Sequence, residues 1–284
     1  MRRVLLVALI SVCAVSGAEQ NGVEYASLAG GVSLTLDLKT PDGNGPFPAA
    51  IIVHGGSFSH GNKRTYVTPL FDVLSNAGFA WFTINYRLAP YYQFPAAVED
   101  VESAVQWVKA HAADYHVDAA RIVLIGESAG GYLVAYVGGH PSKDGARVAA
   151  VVDFYGPNDL VLQTEKRRSE PDEPAKTRTP GLLEFMGFQS WHDAGVVEKL
   201  REVSPASFVS KGMPPFLFIH GNADEQVPYE QSPKMCEAMR KAGATCDLIT
   251  VEAGRHGMLT WEKNPAMAHW KADMAAWLRK TLGK

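Results

Sequence analysis

Apolar positions along the chain follow two patterns, and the change between them locates the sheet. Over 23–40 they alternate, with Val32, Leu34, Leu36 and Leu38 on one side. This predicts an antiparallel, half-buried opening, and Pro41-Asp42-Gly43-Asn44-Gly45-Pro46 after it predicts a hairpin-like loop. Beyond that loop the apolar runs are continuous, at 49–53, 79–84, 121–125, 148–154, 215–220 and 246–251. A strand that is apolar on both sides is covered on both faces, as in a parallel sheet between helices.

Helical spacing fills the intervals. Residues 66–76 have it and stop at Gly78; residues 95–113 carry Val98, Val101, Val105 and Val108 on one stripe; an amphipathic stretch runs from about 265 to 282. Strands and helices in alternation predict an α/β chain with an open, mostly parallel central sheet and helices on both faces. No internal repeat is visible, and 284 residues suit one domain of this kind.

One segment breaks the rhythm. Residues 156–213 carry no buried-strand pattern, and 165–180 are charged and proline-rich, with Lys166-Arg167-Arg168, Pro171, Pro174 and Pro180. A connection of that length in a compact domain is expected to be a lid or cap insert. Its apolar cluster, Leu182 to Trp191 with Phe185 and Phe188, either docks the insert on the core or lines a substrate pocket.

The N-terminus changes the picture of where the protein works. Arg2-Arg3, an apolar stretch from Val4 to Val15 and small Ser16-Gly17-Ala18 form the pattern of an export signal, with cleavage expected after Ala18. A buried N-terminal helix is the alternative, but packing does not explain the charged start and small-residue end. The working domain is then 19–284, in a secreted or periplasmic setting. Ile10-Ser11-Val12-Cys13 resembles a lipoprotein box, with valine a poor fit before the cysteine. No other stretch approaches the ~20 apolar residues of a membrane span.

Composition is that of an ordinary globular chain, 46% hydrophobic and 20% charged. Its net charge of −3 gives no sign of a nucleic-acid partner or a basic membrane surface. Loss of residues 1–18, which hold Arg2 and Arg3 and no acid, takes that charge to −5. Cys13 leaves with the signal. Cys236 and Cys246 remain, as a local disulfide or as two buried thiols, and structural in either case because no Cys/His ligand spacing accompanies them.

In open parallel sheets the working groups stand at the carboxyl ends of strands, so the residues just past each apolar run are the informative ones. After 121–125 comes Gly126-Glu127-Ser128-Ala129-Gly130, a G-x-S-x-G string between strand and helix. There a sharp turn lifts the serine clear of the sheet, and side chains at either glycine would collide with neighbouring backbone. After 49–53 comes His54-Gly55-Gly56-Ser57-Phe58, after 215–220 Gly221-Asn222-Ala223-Asp224, and after 246–251 Gly254-Arg255-His256-Gly257.

A serine hydroxyl is a weak nucleophile at neutral pH, so an imidazole must take its proton and a carboxylate must orient that imidazole. Ser128, Asp224 and His256 occur in the chain order Ser, Asp, His that belongs to this strand arrangement. Asp153 and Asp159 compete for the acid, but Asp224 ends the apolar run nearest before His256 in a glycine-rich turn. Among nine histidines, His54 is expected to shape its glycine turn and His220 to end a strand at the core edge.

The oxyanion formed in acyl transfer needs preorganised amide donors, worth roughly 3–4 kcal/mol each. Gly55, Gly56 and Ser57 offer such donors, and so does Ala129 at a helix N-terminus. Which two amides of 55–57 serve is not fixed by the sequence.

Together, His54-Gly55-Gly56, Tyr86-Arg87-Leu88-Ala89-Pro90, Phe94-Pro95, Gly126 to Gly130, His220 to Asp224 and Gly254 to Gly257 resemble the esterase/lipase superfamily of bacterial α/β hydrolases. The likeness covers about residue 45 to the C-terminus. It reaches both the hormone-sensitive-lipase-like carboxylesterases and the secreted feruloyl/acetylxylan esterase-like branch. Two departures bear on the choice. Ser57 stands where the oxyanion turn usually has a third glycine, and only about 30 residues after Ala18 precede the strand leading to His54, too few for a helical cap of the first branch.

The resemblance implies a secreted serine carboxylester hydrolase that cleaves short-chain acyl or acetyl- and feruloyl-carbohydrate esters through an acyl-enzyme, with no cofactor and no metal. The competing readings are a serine exopeptidase and a non-catalytic binding protein on the same fold. No propeller-like domain or acidic amine-binding loop supports the first, and no triad member is missing for the second. Gly131 in place of a lysine three residues after Ser128 disfavours a β-lactamase-type serine.

Overall fold

The computed structural model describes residues 16–141, 145–174 and 181–283. The expected signal segment therefore lies outside the described residues except for Ser16, Gly17 and Ala18. Eight strands, β1 (Glu19–Leu28), β2 (Val32–Lys39), β3 (Phe47–Val53), β4 (Ala80–Ile84), β5 (Val117–Glu127), β6 (Ala150–Phe154), β7 (Phe216–Gly221) and β8 (Cys246–Val251), form one sheet in the order β1-β2-β4-β3-β5-β6-β7-β8. Pairing from β4 to β8 is parallel throughout, while β1 with β2 and β2 with β4 are antiparallel.

Two details differ from the sequence reading. The alternating stretch is two strands, folded back at Ala29-Gly30-Gly31, where Gly30 and Gly31 have φ of 81° and 80°. That left-handed pair is open to glycine at no steric cost, so nothing in the apolar spacing of 23–40 marks the reversal. The loop 41–46 is not a hairpin, because β4 lies between β2 and β3. Turn residues mark where a strand ends and say nothing of which strand it pairs with.

Successive residues of the buried strands supply two separate cores. Ile51, Phe82, Leu124, Val151 and Phe218 pack with α2 (Ala96–Ala110) and α3 (Ala129–Gly139) on one face. Ile52, Trp81, Val123, Val152 and Ile219 pack on the other face with α1 (Pro69–Asn76) and the C-terminal helix (His269–Leu282). This is the period-2 consequence of strands covered on both sides. The face of α2 and α3 also receives the segment between β6 and β7.

Among its described residues that segment holds three short α-helices, α4 (Leu160–Ser169), α5 (Leu182–Phe185) and α6 (Val196–Glu202), and a 3-10 turn at Pro205–Phe208. Asp159 starts α4, its Oδ1 accepting the amides of Val161 and Leu162 at 3.0 Å each. Leu183, Phe185, Met186 and Trp191 are buried, and the Phe185 ring stacks on Phe58 with centroids 4.3 Å apart and planes 4° from parallel. These side chains dock the segment on the core. Further along, α7 (Gln231–Lys241) is bonded to β8 by a disulfide between Cys236 and Cys246, with Cα atoms 5.4 Å apart. After β8 come α8 (Met258–Trp261) and the C-terminal helix, α9. No helix among the described residues is long and apolar enough to cross a membrane.

Candidate active site

Ser128 joins β5 to α3 with φ 54° and ψ −118°, a conformation that side-chain-bearing residues rarely adopt, and its amide donates to Phe154 O at 2.9 Å. The glycines around it are required by contact. A methyl group on Gly126 would lie 2.2 Å from Gly130 O, and one on Gly130 would lie 2.2 Å from Val53 O. The first turn of α3 therefore sits directly against the end of β3, and this brings the Ala129 amide alongside the turn that begins at His54.

Three loops bring the other groups to the serine. His256 Nε2 is 3.0 Å from Ser128 Oγ, and His256 Nδ1 is 2.6 Å from Asp224 Oδ2. A carboxylate only accepts, so Nδ1 carries a hydrogen and Nε2 faces the serine hydroxyl. Asp224 is fixed further by the amides of Gln226 and Val227, which donate to Oδ1 at 2.8 and 2.9 Å. Burial would push its carboxyl up, but hydrogen bonds from His220 and His256 outweigh burial and hold it well below the usual carboxylate range. The acid and base loops are stitched together, Ala223 N donating to Gly254 O at 3.0 Å and Ala253 N to Asn222 Oδ1 at 2.7 Å.

The competing acids are engaged elsewhere. Asp153 is fully buried and accepts from Gly156 N and Asn158 Nδ2, and burial pushes its carboxyl up to about 6. Asp159 caps α4.

At the glycine turn, one of the amides expected to serve as an oxyanion donor already has a partner. Gly55 N donates to Glu127 Oε1, so its amide is engaged within the turn. Gly56, with φ 113°, and Ser57, with φ 52°, curl the chain onward. His54 behaves as expected: its Nδ1 donates to Gly55 O at 2.6 Å and its ring stacks on Tyr86 at 4.4 Å. Burial lowers His54 to about 4, which keeps it neutral.

Three residues near this centre have no catalytic role assigned from sequence. Glu127, inside the G-x-S-x-G string, is buried and pushed up to about 7 by that burial. Tyr155 comes directly after β6 with φ 44°, packs edge-on against His256 at 4.8 Å, and its hydroxyl accepts from Met258 N at 2.8 Å. It occupies the same strand-end position as the other site residues, and its place just past the 148–154 run is the signal that could have found it. His220, fully buried, stands 3.4 Å from Asp224 Oδ2 rather than merely ending a strand. Among the described residues no group of three or more His, Cys, Asp or Glu is placed to hold a metal.

Comparison with known proteins agrees with the geometry. The chain is 32% identical over 209 residues to the probable carboxylic ester hydrolase LipM of Mycobacterium tuberculosis, a match that covers 70% of this chain and 46% of LipM. It spans about half the length of the curated relatives it matches first. Among solved structures, a truncated carbohydrate esterase from gut microbiota superposes with a TM-score of 0.75 at 26% identity, covering 94% of this chain and 97% of that one. The butyrate-bound esterase Est2 of Thermogutta terrifontis does so with a TM-score of 0.75 at 25% identity, covering 93% and 94%. The BD-FAE family model matches residues 36–239, and the chain belongs to that family, within the α/β-hydrolase esterase/lipase superfamily.

Proposed function

We propose that this chain is a serine carboxylic ester hydrolase, exported from the cytoplasm, that cleaves short-chain acyl or carbohydrate-linked esters. The observation that carries the reading is the unbroken chain of hydrogen bonds from Ser128 Oγ through His256 to Asp224. Ser128 Oγ attacks the ester carbonyl as its proton passes to His256 Nε2, and Asp224 stabilises the resulting imidazolium. The carbonyl oxygen becomes an oxyanion held by the amides of Ala129, Gly56 and Ser57. His256 returns the proton to the leaving alcohol, which departs and leaves an acyl-serine. Water then attacks that acyl group, giving a proton to His256; the bond from the acyl carbon to Ser128 Oγ breaks as His256 passes that proton to Oγ, and the carboxylic acid and free Ser128 result.

Similarity to a carbohydrate esterase and to an esterase that binds butyrate supports the small-acyl and sugar-ester classes. Ser128→Ala should lower hydrolysis of p-nitrophenyl acetate by about 10³-fold or more while the protein stays folded. Activity within tenfold of wild type would sink the proposal. Assays of p-nitrophenyl acetate, butyrate and octanoate beside methyl ferulate and acetylated xylan set the acyl and alcohol preference, and an anilide of the preferred acid tests the peptidase alternative. The mass of the protein exported on expression reports whether Ala18 ends a cleaved signal.

A further inference from the structure

Asp224 has an imidazole on each side. His256 takes one edge of its carboxylate, and the second ring, His220, has its Nε2 3.4 Å from the same Oδ2 atom. His220 is wholly buried, and both its ring nitrogens have partners. Nε2 also lies 3.2 Å from Val227 O, and Nδ1 lies 2.7 Å from Ser232 Oγ. A carbonyl and a carboxylate both require a donor, so Nε2 bears the hydrogen and shares it between Val227 O and Asp224 Oδ2. Nδ1 then accepts the hydroxyl hydrogen of Ser232, itself fully buried in the first turn of α7. Tyr155 and Tyr229 close the pocket edge-on, their ring centroids 6.2 and 5.5 Å from that of His220.

On the triad reading, we infer that His220 is a positioning residue for the acid, with Ser232 fixing its tautomer. A buried Nε2–H 3.4 Å from Asp224 Oδ2 restricts how that oxygen can turn towards His256. Val227 gives the same device a second tie, since its amide holds Oδ1 while its carbonyl orients His220.

Variants at His220, Ser232 and Asp224 test this against p-nitrophenyl acetate. His220→Leu should lower kcat by roughly 10- to 100-fold with KM unchanged. His220→Gln, whose amide N–H reaches the place of Nε2, should recover most of that loss. Ser232→Ala should lower kcat by a smaller factor, again at constant KM, and it gives the readout if His220→Leu does not fold. In an Asp224→Asn background, His220→Leu should cost less than about twofold, because its effect passes through the acid. A full additive loss in that background, a loss confined to KM, or a His220→Gln as impaired as His220→Leu at equal Tm would overturn the assignment. Ser128→Ala separates the two readings: retained activity there removes the triad itself, whereas lost activity with additive His220 effects removes only the role of His220.

Discussion

Gly221 and Gly254 stand so close that a methyl group on the first would lie 2.2 Å from the carbonyl oxygen of the second. One glycine starts the loop of Asp224 and the other the loop of His256. Their contact sets the separation of acid and base before either side chain takes part. Gly221→Ala should therefore lower stability by about 1–3 kcal/mol and kcat by roughly tenfold or more, with little change in KM. A variant with wild-type Tm and kcat would show that the two loops are spaced by something else.

Glu127 predicts a dependence of stability on pH. An unfolded glutamate ionises near 4.5, whereas the native one keeps its proton up to about 7 because burial disfavours its charge. Between those values the native state binds more protons than the unfolded state, so the contribution of Glu127 falls as pH rises and is lost above about 7. Glu127→Gln stays neutral and still offers Gly55 an acceptor. Relative to wild type it should gain about 3 kcal/mol between pH 5 and pH 8, read as the difference of the two Tm values at each pH. A constant difference would refute this role for Glu127.

The disulfide closes a short loop, with ten residues of sequence separation between Cys236 and Cys246. Loop-closure entropy puts its contribution at about 2–3 kcal/mol. Reduction, or Cys236→Ser with Cys246→Ser, should lower Tm by roughly 5–10 °C. The wild type without reductant and the double variant with it form the controls, and an unchanged Tm on reduction would mean that the bond adds nothing to stability.

Asp224→Asn should leave the backbone in place while removing the charge that orients His256. The expected result is a fall in kcat of about 10³- to 10⁴-fold, with KM and Tm nearly preserved. Residual activity above a tenth of wild type would point to another carboxylate as partner of His256.

Much of this arrangement is legible because it is written in local pattern. Continuous apolar runs locate β3 to β8, and the residues just past them include Ser128, Asp224 and His256, which the fold brings into one hydrogen-bonded line. What escapes depends on partners distant in sequence. Glu127 meets Gly55 across seventy-two residues, and nothing in either segment says that the carboxylate will take that amide. His220 ends its strand inside the core, and only the return of α7 brings Ser232 against its other nitrogen. Likewise the place of β2 beside β4 is a choice of neighbour, which alternation along one strand does not encode.

The stack of Phe58 on Phe185 ties the glycine turn to the segment between β6 and β7. Phe58 directly follows Ser57, while Phe185 belongs to the segment between β6 and β7, so the glycine turn rests partly on the stretch of the chain with the least regular pattern. Exchanging that segment for a relative's would then not be a modular operation. A graft lacking an aromatic ring at 185 would slow turnover on every ester alike, and its new preferences would be visible only after the ring was restored.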